Sequence, residues 1–266
     1  MSVIALILAW LAVMALAIPF SMVGQGGGST YVPILLMAGM AMHEASTTSL
    51  FMIMIASISA MLVFGRKRTI DWKLLFSIVP IAILGSFAGG YVAQWVSAPV
   101  LKVIFAVVLT MAAFFMLRPA AEGRSPKFVP RWGLWNRTCG GYQYRISMGV
   151  LIPAIGLAAF IAGMIGVGGG LFVLPMLILL FACPTRIAIG VSTAYVGITA
   201  LPGFVGHILG GDPFHVWRAL CLAVAAFAGA RIGPIVSLRT SVSRLRVILA
   251  VVLVALAVWM VVALVM

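Results

Sequence analysis

The stretch GQGGGSTYVP, Gly24 to Pro33, returns in the second half of the chain as GVGGGLFVLP, Gly166 to Pro175. Glycine holds the first, third, fourth and fifth places of both, as Gly24, Gly26, Gly27 and Gly28 and as Gly166, Gly168, Gly169 and Gly170. Proline holds the tenth, as Pro33 and Pro175, and each stretch interrupts a long apolar run. Consecutive glycines make a poor helix, because each costs about 1 kcal/mol relative to alanine and leaves backbone polar groups bare. Within a bilayer such a break survives only where protein or a water-filled cavity satisfies the freed groups. Paired breaks at matching places in two halves point to the binding site of a membrane carrier.

The surrounding chain fits a bilayer. Of its 266 residues 64% are hydrophobic and 8% charged, and the mean hydropathy of +1.26 excludes a water-soluble domain of this size. The expectation is an all-α polytopic membrane protein. Seventeen Lys and Arg face four acids, a net charge of +13. The basic residues cluster between apolar runs, where they orient the protein and meet anionic lipid, so the lipid bilayer is the expected partner and nucleic acid is not. Cys139, Cys183 and Cys221 stand apart without metal-ligand spacing, and neither a disulfide framework, a metal nor a cofactor is expected. The first run, from Val3, has no basic residue before it and no small-residue cleavage pattern, and is expected to be a retained helix.

Apolar runs fall at about Val3–Val23, Thr30–Met42, Ala45–Phe64, Trp72–Ala93 and Val100–Leu117, then Ile146–Ile165, Leu171–Ala182, Ile187–Leu209, His215–Leu238 and Leu245–Val265. Most reach the roughly 20 residues needed to cross a hydrocarbon core. The second and seventh, at 13 and 12 residues, would rise only about 18 to 20 Å as helix. The sequence thus predicts eight long helices and two short ones.

These segments are two copies of five. LKVIFAVVL at Leu101–Leu109 matches LRVILAVVL at Leu245–Leu253, and Gly85 and Gly89 match Gly229 and Gly233, all 144 residues apart. Ala45 and Ser49 match Ala188 and Ser192 at 143, and the glycine breaks match at 142. Ordered agreement over a whole half indicates duplication. The expected units are a first repeat over 1–118, a basic cytoplasmic linker over 119–145 and a second repeat over 146–266. With five crossings per half, the second copy lies inverted in the membrane. The inverted arrangement puts Arg66, Lys67 and Arg68, the linker's Arg118, Arg124, Lys127, Arg131, Arg137 and Arg145, and Arg186, Arg239 and Arg244 all on the cytoplasmic side. His43-Glu44, the GGDP corner and both termini then lie outside. Lys102 and Arg218 would have to snorkel from outer helix ends.

A helix resuming after each break points unpaired N–H groups and its positive dipole end into the gap, which suits an anion. The first break adds Gln25, Ser29 and Thr30, where the second has Val167, Leu171 and Phe172, so an asymmetric site is expected, with side-chain donors mainly from the first half. The runs STTS, Ser46–Ser49, and VSTA, Val191–Ala194, place Ser49, Ser192 and Thr193 at the start of the following long helices. Their hydroxyls either bind oxyanion oxygens or bond back to the preceding turn. The glycines alternatively serve close helix packing, and Gly85/Gly89 with Gly229/Gly233 are read that way, with their GxxxG faces also offering a surface for a homodimer. The only acid near a span is read as Glu44, which argues against a cation substrate. His43 with Glu44 is a candidate for proton coupling, and Arg186 and Arg231 are read as interfacial anchors.

The double G-x-GGG-x-x-x-x-P motif, each copy followed by A-x-x-x-S, resembles the sulfite exporter TauE/SafE family of bacterial inner-membrane permeases, over essentially the whole chain apart from the linker. The resemblance implies a non-enzymatic carrier that exports small sulfur-containing anions such as sulfite or sulfoacetate. It also implies that Gly24, Gly26, Gly27, Gly28, Pro33 and Ser49, with Gly166, Gly168, Gly169, Gly170, Pro175 and Ser192, belong to the substrate site. An anion channel and a non-transporting membrane scaffold remain alternatives to alternating access.

Overall fold

In hydrocarbon every backbone N–H must find a carbonyl within its own segment, so long apolar runs fold as helices. The structure, a computed structural model, describes residues 3–67, 69–117, 133–237 and 242–265. These contain α1 (Val3–Met22), α2 (Gly28–Met37), α3 (Met42–Arg66), α4 (Trp72–Val92), α5 (Ala98–Leu117), α6 (Met148–Ile165), α7 (Gly170–Leu179), α8 (Thr185–Leu209), α9 (Val216–Ser237) and α10 (Val242–Val265). A 3-10 turn, Ala93–Trp95, extends α4. Among the described residues seven helices are long and apolar enough to cross a membrane, and α10 runs for 24 residues. The short helices α2 and α7 have 10 residues each, about 15 Å of rise. The ten helices occupy the ten apolar runs of the sequence.

One element departs from an all-α chain. Leu134–Cys139 (β1) and Tyr142–Ser147 (β2) pair antiparallel, with Leu134 opposite Ser147 and Cys139 opposite Tyr142. Gly140 and Gly141 turn the hairpin with φ of 56° and 82°, the positive values that a two-residue turn between twisted strands demands. The expected linker therefore ends in a hairpin, and helix resumes at Met148 rather than Ile146. Arg68, Arg118, Arg124, Lys127, Arg131, Arg239 and the Arg244 side chain lie outside what the structure describes.

The hairpin is clasped to the start of α4 by an acid the sequence reading passed over. Asp71, 3% exposed, caps α4 by accepting the Leu74 N–H at 3.1 Å. Its Oδ2 also accepts from Arg137 Nε at 3.2 Å and from the Tyr144 hydroxyl at 2.6 Å. Burial pushes the Asp71 carboxyl up, and the Arg137 and Tyr144 hydrogen bonds, the Leu74 N–H and the Arg137 charge together outweigh it and hold the group below its ordinary value. Glu44 is thus not alone among acids near a span, but Asp71 is already matched by a cation.

α4 lies along α6 and α8, α9 along α1 and α3, α3 against α8, and α5 against α10. Exchanging each helix for the one five places along leaves this set unchanged. α3 and α8 run antiparallel, with Leu50 beside Gly203 and Ser57 beside Gly197. A Cβ at Gly85 would come 2.7 Å from the Gly156 carbonyl oxygen, and one at Gly89 would collide with that of Phe160. On α9 a Cβ at Gly229 would come 2.6 Å from the Met14 oxygen, and one at Gly233 would collide with that of Ile18. Both GxxxG faces are therefore used inside the chain, as packing requires, and are not the free surface on which a homodimer was expected.

Candidate functional site

The glycine pattern of each break has two physical causes. Gly24, Gly26 and Gly27 have φ of 75°, 65° and 82°, and Gly166, Gly168 and Gly169 have 80°, 74° and 81°, conformations that a side chain penalises. The fifth glycine of each motif begins a helix and is small for a different reason. A Cβ on Gly28 would run into the Val167 carbonyl, and one on Gly170 would lie 2.7 Å from Val196 Cγ2 and 3.0 Å from Gln25 Cα. Each break is thus pressed against the backbone of the other, and Gly26 and Gly168 both rest on Ile53 and Val196.

Three of the freed carbonyls are satisfied from the far half of the chain. Ser49 Oγ donates to the Gly166 oxygen at 2.7 Å and Ser46 Oγ to that of Ile165 at 3.2 Å. Ser192 Oγ donates to the Gly24 oxygen at 2.9 Å, while the Gly168 oxygen has a donor from its own half, Thr199 Oγ1 at 3.0 Å, whose hydrogen it shares with the Tyr195 oxygen at 2.9 Å. Thr30 and Thr193 bond back within their own segments, to Gly27 at 2.8 Å and Ile189 at 2.9 Å. Four of the hydroxyls expected near a ligand, those of Ser49, Ser192, Thr30 and Thr193, therefore spend their one hydrogen on backbone. Pro33 and Pro175 sit inside α2 and α7, where each lacks the N–H that would reach the carbonyl four residues back.

Gln25 and Ser29 are different. Both amide atoms of Gln25 and the Ser29 Oγ are buried without a hydrogen-bond partner, and so are the Tyr31 and Tyr195 hydroxyls and Ser57 Oγ. The last three were not anticipated, since a tyrosine or serine in an apolar run carries no spacing signal. The Tyr31 ring lies over Gly27 and the Tyr195 ring over Gly169, while Ser57 Oγ would be 2.8 Å from a Cβ on Gly26. These groups lie about the starts of α2 and α7, whose N-caps, Gly27 and Gly169, receive no side-chain hydrogen bond, while Ser59 Oγ and His43 Nδ1 are also buried without a hydrogen bond. Residues 20–35, 162–171 and 187–196 are all buried and include no charged residue. Chemically this is an enclosed, neutral cluster of N–H and O–H groups at two helix N-termini, suited to a small anion.

The histidines and two acids gather away from it, where α3 begins and α8 ends. His43 Nδ1 lies 3.3 Å from Asp212 Oδ1, and Glu44 Oε1 lies 3.0 Å from His215 Nδ1 and 3.4 Å from Arg218 Nη1. His43 and Glu44, candidates for a proton couple, are not joined to each other: His43 Nδ1 lies near Asp212 without a hydrogen bond, and Glu44 pairs with His215 and Arg218. Arg218, expected to snorkel, is paired, whereas Arg186 is exposed as an anchor should be.

The family model for the sulfite exporter TauE/SafE matches residues 8–260. The chain belongs to the TauE/SafE family. Among similar curated proteins, the probable membrane transporter protein YunE of Bacillus subtilis (strain 168) is 26% identical, covering 88% of this chain and 89% of its own length. The probable membrane transporter protein YfcA of Escherichia coli (strain K12) is 26% identical over 79% of this chain and 73% of its own. No solved structure matches. As a TauE/SafE member the protein is a multi-pass membrane transporter and not an enzyme.

Proposed function

We propose that this TauE/SafE protein is a secondary carrier that exports a small sulfur-containing anion, sulfite or an organosulfonate such as sulfoacetate, across the bacterial cytoplasmic membrane by alternating access. The observation that carries the reading is the pair of crossed, uncapped helix starts ringed by the buried, unbonded groups of Gln25, Ser29, Tyr31, Ser57 and Tyr195. An unmet buried polar group costs about 1–3 kcal/mol, so five residues carrying such groups at one place imply a ligand that meets them. Neutral donors and two helix dipoles balance one or two negative charges without the permanent salt bridge that would hinder release.

The reading includes an architecture of two inverted halves, each crossing five times, with both termini outside. It is supported by the antiparallel run of α3 on α8, by the reciprocal bonds of Ser49 to Gly166 and Ser192 to Gly24, and by helix contacts that survive exchange of the halves. Burial of both breaks favours a carrier caught closed over an open channel. For an anion leaving a cell that is negative inside, the membrane potential contributes about 2.3 kcal/mol per charge per 100 mV. The test is flux of sulfite, thiosulfate, sulfate and sulfoacetate from proteoliposomes. Saturable export of at least one, lost in Gln25→Leu, is expected. Ion-channel currents, or no movement of any of the four, would overturn the reading.

A further inference from the structure

α8 ends in HILGGDP, His207 to Pro213. Gly211 takes φ of 84°, its N–H donates to the Ile208 oxygen at 3.1 Å, and the Asp212 N–H donates to the His207 oxygen at 3.1 Å. This glycine-dependent helix stop folds the chain back over the last turn. It sets Asp212 Oδ2 2.6 Å from His207 Nδ1. The other ring nitrogen, Nε2, is 2.9 Å from the carbonyl oxygen of Gly163, three residues before the break at Gly166. The imidazole is fully buried and the Asp212 side chain is 8% exposed.

Counting hydrogens leaves one arrangement. A backbone carbonyl only accepts, so Nε2 must carry a hydrogen. Nδ1 and a carboxylate oxygen approach to 2.6 Å only with a second hydrogen between them. The closed pair therefore holds two hydrogens and is neutral overall. Loss of one would leave a nitrogen lone pair facing a carboxylate in a buried contact, and the contact would part. The other groups facing the pair give that proton a route. Asp212 Oδ1 is 3.3 Å from His43 Nδ1 on the first turn of α3, whose side chain is 24% exposed. Beside it Glu44 is held by His215 and Arg218, from the approach to α9 and from α9 itself.

The opposite half has the same turn without the chemistry. At the end of α3 the Thr69 N–H donates to the Phe64 oxygen at 3.4 Å, and Phe64 and Thr69 stand 143 residues before His207 and Asp212. Among the described residues the buried histidine–carboxylate contact at a helix end occurs at this end of the molecule.

We propose that the His207–Asp212 pair is the proton site of this carrier, binding one proton when its end is closed and releasing it when that end opens, so that anion movement is coupled to a proton. The inference rests on the transport reading. In the step, the Nδ1–H bond breaks and the proton passes through Asp212 to His43 or to water at the mouth, while the Nε2–H bond remains. Parting of the pair frees the end of α8 from α6 next to the glycine break, which links the proton to the anion site.

Two measurements test it. The first needs no substrate: 15N NMR of histidine-labelled protein in lipid nanodiscs should show one ring with both nitrogens bonded to hydrogen, and that signal should vanish in His207→Gln. A His207 ring with a bare nitrogen in the closed protein would overturn the site. The second uses proteoliposomes containing a pH-sensitive dye, with sulfate and sulfoacetate beside sulfite, because sulfite exchanges protons by itself. Wild-type anion flux should carry protons across, and in His207→Gln and Asp212→Asn anion flux should persist while proton movement falls to that of protein-free vesicles. Anion movement without protons in the wild type, or with them in both variants, would overturn the coupling. If neither these three anions nor thiosulfate moves, the anion-carrier reading falls and the coupling with it, while the NMR result still decides whether the proton is there.

Discussion

At the first glycine break stand Gln25, Ser29 and Thr30, and at the equivalent places of the second stand Val167, Leu171 and Phe172. The backbones share the same run of positive φ and are held by equivalent serines. Backbone is thus common to the two, and side-chain polarity is not. A near-symmetric frame can move about a fixed point, and on the proposed reading the asymmetric lining would let one half recognise the guest while the other supplies mainly N–H groups. The histidine end repeats the lesson, since His207 and Asp212 face a counterpart built from Phe64 and Thr69.

The comparison breaks most severely at the fifth glycines. Gly28→Ala drives a Cβ into the Val167 carbonyl, whereas Gly170→Ala meets the Val196 side chain at 2.7 Å and backbone only at 3.0 Å, at Gln25 Cα. Gly28→Ala is expected to cost about 4 kcal/mol or more and to abolish folded yield, with Gly170→Ala clearly milder by thermal melting in detergent. Equal losses would mean that the breaks do not cross as described.

Side-chain exchange comes next. Gln25→Leu and Ser29→Ala each remove buried unbonded polar atoms, so melting temperature should hold or rise while anion flux falls roughly tenfold or more. Leu171→Ala, on the apolar break, should alter flux much less than stability. If both breaks respond alike, recognition is shared and the asymmetry is incidental.

Ser49→Ala and Ser192→Ala probe what the halves have in common. Each leaves a buried carbonyl, of Gly166 or Gly24, without its donor, and each should cost about 1–3 kcal/mol by chemical or thermal unfolding. Losses matching within about 0.5 kcal/mol would sharpen the equivalence of the two ends.

The smallest effect belongs to the hairpin. Asp71 is held below its ordinary value in the folded state, so its contribution is full above the ordinary carboxylate range, near pH 4, and is lost as pH falls through the folded value. Hydrogen exchange at β1 and β2 should therefore quicken in acid, and Arg137→Gln should quicken it at neutral pH and flatten the acid response.

Helix positions were legible because the apolar runs are separated by charges, by the glycine breaks or by short turn sequences, and Thr185–Leu209 begins within two residues of the expected Ile187. The hairpin was not, since Trp, Arg and Tyr alternating between glycines gave too little apolar length to stand out from a basic linker. Gln25 and Ser29 could be named from their place in the motif. Tyr31, Ser57 and Tyr195 could not, because a polar group in a helix becomes notable only when its neighbours fail to bond it. Ser49 and Ser192 were singled out as ligand-binding hydroxyls, but their hydrogens go to backbone 117 and 168 residues away.

From the sequence alone came the ten helices, the two breaks and their doubling, because hydrocarbon enforces local hydrogen bonding and positive φ selects glycine at each place independently. Tertiary structure decided which hydroxyls are spent and which are free, which acid meets which histidine, and that the breaks touch. Those outcomes depend on where a single hydrogen finds its nearest acceptor, and for Ser46, Ser49 and Ser192 that acceptor is supplied by the other half of the chain.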